Sequence, residues 1–232
     1  FGTEFAPKDE NGDYDFEGLD ALDVAYFNQQ LVELLNGKEV EIPIFDFKAG
    51  ARREPASEKE AANRRIRLTE RTILVIEGIH GLNDALSLQV PADNKFKLYV
   101  SALTQLNLDD HNRIPTSDNR LIRRMVRDSN FRNHTAAQTI NMWPKVQRGE
   151  RKHIFPFQDC ADVAFNSALD YELAILKVFA EPLLRSVKPT MKEYTEASRI
   201  LSFLENFSPL PSHYVPNQSI LREFIGGSEF KY

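Results

Sequence analysis

Apolar residues recur along this chain with changing periods, and the alternation predicts an α/β fold. Leu19, Leu22, Tyr26, Leu31, Leu34 and Leu35 fall at roughly helical spacing and Gly37 follows as a stop, so residues 19–35 are predicted helical. Residues 40–47 alternate and contain Pro43, the pattern of an edge or hairpin strand. Residues 48–70 are charged and weakly periodic, a loop with a return strand near 64–69. Thr72-Ile73-Leu74-Val75-Ile76 is a short continuous apolar run, the mark of a parallel strand buried on both faces. Residues 96–100 and 162–165 are further strand candidates. Helical patterns separate them at about 82–89, 117–131 and 135–148. The last opens on the capping box Thr135-Ala136-Ala137-Gln138 and contains Pro144, which is expected to kink or shorten it. Three helical stretches follow at 170–187, 190–207 and 218–225, the third ended by Gly226-Gly227.

Strands alternating with helices imply a mainly parallel sheet flanked by helices. The simplest division is one α/β domain over residues 1–170, with a helical C-terminal extension over 171–232 packed on it. Composition narrows the picture further. With 232 residues, 42% of them hydrophobic, the chain can bury a core without staples. Its one cysteine, Cys160, excludes an internal disulfide and suits a reducing cytoplasm, the expected compartment. No apolar run approaches the roughly 18 residues of a membrane span. A net charge of -5 argues against general nucleic-acid binding, which needs excess Lys and Arg. Phe1-Gly2-Thr3-Glu4-Phe5 is not a natural-looking start, and the chain is expected to be a fragment.

Three features carry candidate chemistry. Glu77 directly follows the apolar run, and ligands of open α/β sheets gather at the carboxyl ends of strands. A carboxylate there suits a hydrated Mg²⁺, or simply faces water or a basic neighbour. Arg120, Arg123, Arg124 and Arg127 fall at i, i+3, i+4 and i+7, one face of a helix, with Arg132 close behind. Asp118 and Asp128 do not neutralise the set locally, so the stripe points to an anion such as phosphate, or to acids elsewhere in the fold. Residues 13–23 hold several carboxylates at a helix start, where the dipole favours them; Glu17 among them could instead accept sugar hydroxyls. Asp109-Asp110-His111 is a weak metal candidate, because adjacent residues point apart. Cys160, Trp143 and the sixteen phenylalanines are expected to pack inside. A Walker A loop, Gly-x-x-x-x-Gly-Lys-Ser/Thr, does not occur; the Gly37-Lys38 pair ends a helix and is followed by Glu39.

Taken in order, these pieces resemble the uridine kinase branch of the P-loop kinases. The segment Tyr14-Asp15-Phe16-Glu17-Gly18-Leu19-Asp20-Ala21-Leu22-Asp23 is similar to the family's Tyr-x-Phe-Asp-His-Pro-Asp-Ala-Phe-Asp stretch. Ile42-Pro43-Ile44-Phe45-Asp46-Phe47 resembles its Pro-x-Tyr-Asp-Phe hairpin, and Ile76-Glu77-Gly78-Ile79 its strand-ending Glu-Gly-Ile. Residues 117–128 resemble its lid helix, and Phe155-Pro156-Phe157 with the ending at 222–227 resembles bacterial uridine-kinase-like proteins. The resemblance implies a P-loop-kinase-like fold, incomplete at its N-terminus, and ATP-dependent phosphorylation of a nucleoside 5′-hydroxyl by the full-length parent. It assigns Glu77 the Mg²⁺-linked catalytic acid and Glu17 the ribose contact. Phe45 and Asp46 line the nucleoside pocket, and Arg124 sits on the substrate side. Arg120, Arg123, Arg127 and Arg132 become phosphate or lid residues. ATP and Mg²⁺ are the implied cofactors, with nucleoside and ATP as partners, no membrane, and a homo-oligomer left open. Phe45, Gly50, His134 and Met142 depart from the family pattern, which leaves the base open. A non-catalytic module that senses a nucleotide through the arginine face is the alternative.

Overall fold

The computed structural model describes residues 6–8, 12, 14–46 and 49–230. In chain order its elements begin with α1 (Val24–Leu35), β1 (Glu39–Glu41), β2 (Ile44–Asp46), β3 (Ala51–Arg53), α2 (Glu58–Asn63), β4 (Arg65–Arg67) and β5 (Leu98–Ser101). They continue with α3 (Thr116–Arg132), α4 (Ala136–His153), β6 (Val163–Asn166), α5 (Glu172–Arg185), α6 (Tyr194–Leu204) and α7 (Arg222–Ile225). The chain divides into two compact units, residues 1–99 with 149–163 and residues 100–148 with 164–232.

In the first unit the helix expected over 19–35 breaks in two. A 3-10 turn at Leu19–Ala21 precedes α1, and Asp23 caps α1 by accepting the Tyr26 N–H at 3.1 Å. The stop at Gly37 is as expected: its φ is +73°, Lys38 N–H returns to Glu33 O at 3.0 Å and Gly37 N–H to Leu34 O at 2.9 Å, a Schellman turn. The alternating stretch resolves into β1 and β2, and Phe47 lies outside the described residues. β1 pairs antiparallel with β4, the return strand expected near 64–69, and β2 pairs antiparallel with β3. The short α2, not anticipated, starts where Ser57 caps Glu60.

The apolar run 72–76 departs from expectation. It forms no strand, and Ile73 and Val75 are 87% and 82% exposed. A run becomes a buried parallel strand only with hydrogen-bonded neighbours and covered faces; among the described residues it has no ladder partner. The other two candidates do become strands, β5 and β6. Asp162 N–H donates to Lys97 O at 2.9 Å and Ser167 N–H to Ser101 O at 2.8 Å, so partners advance together and the pair is parallel. The pattern expected over 82–89 contracts to a 3-10 turn at Asp84–Ser87.

The second unit is a helical assembly. Leu121, Ile122, Met125, Leu176, Ile200 and Leu221 are at its centre, joined by Trp143. The capping box forms as read: Gln138 N–H reaches Thr135 Oγ1 at 3.3 Å and Thr135 N–H reaches Gln138 Oε1 at 2.8 Å. Pro144 does not shorten α4, which runs on to His153. Burial of Ile140 and Trp143 just before the proline offsets the one lost N–H bond. The phenylalanines are less internal than expected: Phe16, Phe96, Phe131 and Phe165 are exposed, as is Cys160. No helix among the described residues is long and apolar enough to cross a membrane.

Helix α3 is polar in sequence yet buried around most of its circumference, with Asp118, Asn119, Arg123 and Asp128 all inside. Such burial requires partners for every charge. The Arg123 guanidinium meets the Glu172 carboxylate of α5, with Nε to Oε2 at 2.9 Å, and adds a bond from Nη1 to Ser167 Oγ at 3.2 Å. Asn119 Nδ2 donates to the other Glu172 oxygen. Asp118 takes a two-pronged contact from Arg199 of α6, at 2.7 and 2.8 Å.

Removing one partner of a buried ion pair leaves an uncompensated charge, which costs about 3–5 kcal/mol. Glu172→Gln should therefore lower unfolding free energy by about 3 kcal/mol in urea titrations, and adding Arg123→Met should recover part of that loss. An additive double variant would show that the pair is not coupled. A Cβ at Gly37 meets nothing within 4 Å. Gly37→Ala should thus report backbone strain alone, about 1 kcal/mol of destabilisation.

Candidate functional site

The first unit contains a cleft of about 950 Å³, near the upper end of the range of small-molecule sites. Pieces distant in sequence form its wall: the loop leading into α1 and one face of that helix, the β2–β3 hairpin, single residues of β1 and β4, and the segment 74–81. Its lining is mostly apolar, with a few polar groups set into it.

Phe45 and Glu77 both stand on this wall. Phe45 is 37% exposed, so part of its ring remains accessible to a flat ligand. Directly across the ladder from it lies Arg52, also on the wall. The Arg52 guanidinium is oriented by two groups of α1: Asp23 Oδ2 at 2.9 Å and the Tyr26 ring, whose centroid is 4.8 Å away. Asp23 thus does two jobs, capping α1 with one oxygen and holding Arg52 with the other. The Glu77 carboxylate is exposed, and its side chain makes no hydrogen bond or ion pair among the described residues. An accessible carboxylate of this kind fits a hydrated Mg²⁺, which needs few protein oxygens.

Glu17 and Asp46 are placed differently. Phe16 and Gly18 reach the wall, while the Glu17 carboxylate lies against Gly149 of α4, where an added Cβ would come within 2.2 Å of Oε2. The Glu17 carbonyl accepts a hydrogen bond from His80 Nε2 at 2.9 Å. Neighbouring Asp15 binds Lys152 Nζ at 3.1 Å. Burial pushes the Asp15 carboxyl up, but the Lys152 ammonium outweighs this and leaves it below its ordinary value. Asp46 caps the hairpin turn, its Oδ1 accepting from Ala49 N–H at 3.1 Å and its carbonyl from Gly50 N–H at 2.8 Å. Gly50 turns with φ +62°, so the hairpin itself accounts for the glycine at this departure from the family pattern.

The arginines belong to the second unit. Arg120, Arg124 and Arg127 lie half-buried on the one side of α3 not sunk in the core, while Arg123 turns inward to Glu172. The local acids prove an incomplete inventory. Asp128, fully buried, takes Arg124 Nε at 3.2 Å and Arg132 Nη1 at 3.1 Å, and Glu223 of α7 takes Arg127 Nη1 at 3.2 Å. The stripe is therefore largely ion-paired, with Glu172 and Glu223 supplied from 49 and 96 positions downstream. Asp109 spends its carboxylate on His111 N–H and Asn112, and no cluster of three or more metal-binding side chains occurs among the described residues.

Asp23, Tyr26, Arg52 and His80 are wall residues that the sequence reading passed over. Arg52 had a usable signal, its register opposite Phe45 once a hairpin turn at 46–51 is assumed. His80 had none beyond its place three residues after Glu77.

Residues 3–174 match the model of the phosphoribulokinase / uridine kinase family. Among curated relatives, the uridine kinase of Lactobacillus johnsonii is 27% identical over 183 residues, covering 76% of this chain and 72% of that protein. The uridine kinase of Streptococcus equi subsp. zooepidemicus is 30% identical over 156 residues, covering 67% and 63%. That of Clostridium botulinum strain Kyoto is 28% identical over 158 residues, covering 68% and 65%. The chain thus spans a little under two thirds of two of these three relatives. The family match takes in every wall of the cleft and all of α3, and on that ground the chain belongs to the phosphoribulokinase / uridine kinase family.

Proposed function

We propose that this chain forms the acceptor part of a kinase that transfers the γ-phosphoryl group of ATP to the 5′-hydroxyl of a uridine-type nucleoside. The observation that carries the reading is the convergence of Phe45, Arg52 and Glu77 on one cleft of about 950 Å³. A base stacks on the Phe45 ring, and a preoriented Arg52 donates to its carbonyl oxygens. Glu77 would hold a Mg²⁺ ion, which would supply charge neutralisation for phosphates. The fit to ATP itself is poor among these residues. Gly37-Lys38 closes α1 in a Schellman turn where a phosphate cradle would need to open a helix. The chain by itself is therefore proposed to be inactive. On this reading Glu17 and Asp46 act by holding the loop and hairpin that shape the pocket, and Arg120, Arg124, Arg127 and Arg132 serve phosphates.

The arginine face of α3 also favours a second reading, a non-catalytic module that binds phosphorylated metabolites through Arg124 and Arg127. Calorimetry separates the two. The acceptor reading expects uridine, which has no phosphate, to bind, and Phe45→Ala to weaken it about tenfold, since stacking is worth about 1–3 kcal/mol per base. Arg127→Ala should leave uridine binding unchanged. Binding of UTP but not uridine, lost on Arg127→Ala, would establish the module instead. Labelled phosphate appearing on uridine with this chain and ATP would overturn the claim of inactivity.

A further inference from the structure

His80 is among the most enclosed polar side chains of the first unit, at 5% exposure, and stands on the cleft wall. Its Nε2 makes the ring's one hydrogen bond among the described residues, to the carbonyl of Glu17, 63 positions earlier in the chain. A carbonyl oxygen can only accept, so Nε2 carries the proton and donates. Nδ1 is buried with no partner among the described residues, which suits a bare lone pair and not a second N–H. The His153 ring packs edge-on at 5.3 Å and leaves the imidazole little freedom to turn.

From this geometry we infer that His80 is a positioning residue for nucleoside binding: its Nε2–H holds the Asp15–Gly18 loop so that Phe16 and Gly18 form part of the cleft wall. The inference rests on the acceptor reading above and deepens it. On the α4 side the loop is held by Lys152 against Asp15 and by the bare Gly149 under Glu17. His80 supplies a second tether from the 74–81 segment that carries Glu77, and so joins two walls that carry candidate chemistry.

The charge state is consistent with this role. Burial pushes the His80 imidazole below its ordinary value; the bond to Glu17 opposes that, His153 adds to it, and Asp15 opposes it. Lys152 pairs with Asp15 and the Glu17 carboxylate lies against Gly149, so burial outweighs the opposing contacts and favours the neutral ring.

The test compares wild type, His80→Phe and His80→Gln by hydrogen exchange at the amides of residues 15–18 and by calorimetry with uridine. Phenylalanine keeps the ring volume and removes the donor, while glutamine restores an N–H near the Nε2 position. Exchange at these amides and the uridine Kd should each rise about tenfold in His80→Phe and return to within about threefold of wild type in His80→Gln, the scale of one hydrogen bond. Wild-type exchange and affinity in His80→Phe would overturn the assignment. Should wild type itself not bind uridine, the acceptor reading falls and exchange alone decides whether His80 holds the loop. Nitrogen-15 spectra of the wild-type ring add a check that needs no variant: the Nε2–H tautomer is expected, and an Nδ1–H tautomer would rule the tether out.

Discussion

The buried contact between Arg123 and Glu172 is the constraint on which the second unit depends. A charged helix cannot enter a core unless each charge is met there. By meeting Arg123, Glu172 fixes the rotation of α3 about its axis, and Asn119 fixes the same carboxylate from the previous turn. With that rotation set, Leu121, Ile122, Met125 and Val126 fill the core, and Arg120, Arg124 and Arg127 are left on the remaining side. One ion pair thus decides which arginine enters the core and which stay on the half-buried side, where Arg124 and Arg127 meet Asp128 and Glu223.

A similar economy holds in the first unit. Asp23 caps α1 and orients Arg52; the hairpin turn that demands Gly50 also sets Phe45 opposite Arg52; Gly149 leaves room for the Glu17 carboxylate. Residues that shape the cleft are held by the same bonds that end helices and close turns. Substitutions there should be read with both roles in mind, because a lost cap and a lost Arg52 contact are the same event at Asp23.

Much of the element order was legible. The capping box before α4, the Schellman stop at Gly37, the return strand β4 and the strands at β5 and β6 all follow from local rules of spacing and hydrogen bonding, whereas the stretch around Pro43 divides into two strands that pair with different partners. The run 72–76 is instructive for the opposite reason. Its composition is that of a doubly covered strand, but strand identity belongs to the neighbours, and the described residues give it none. The exposed phenylalanines teach the same point, since hydrophobicity states a preference that only available partners can satisfy.

Sequence by itself determined the chemistry on offer: an acid at the end of an apolar run, arginines at helical spacing, an aromatic hairpin, and kinship to a kinase family. Tertiary structure alone decided how that chemistry is spent. Arg123 is consumed because Glu172, far along the chain, turns its carboxylate into the same core, and His80 gains a role because its ring nitrogen meets a carbonyl 63 residues away. Pairings of this kind depend on which side chains the fold brings within about 3 Å, a distance that spacing along a single element does not encode.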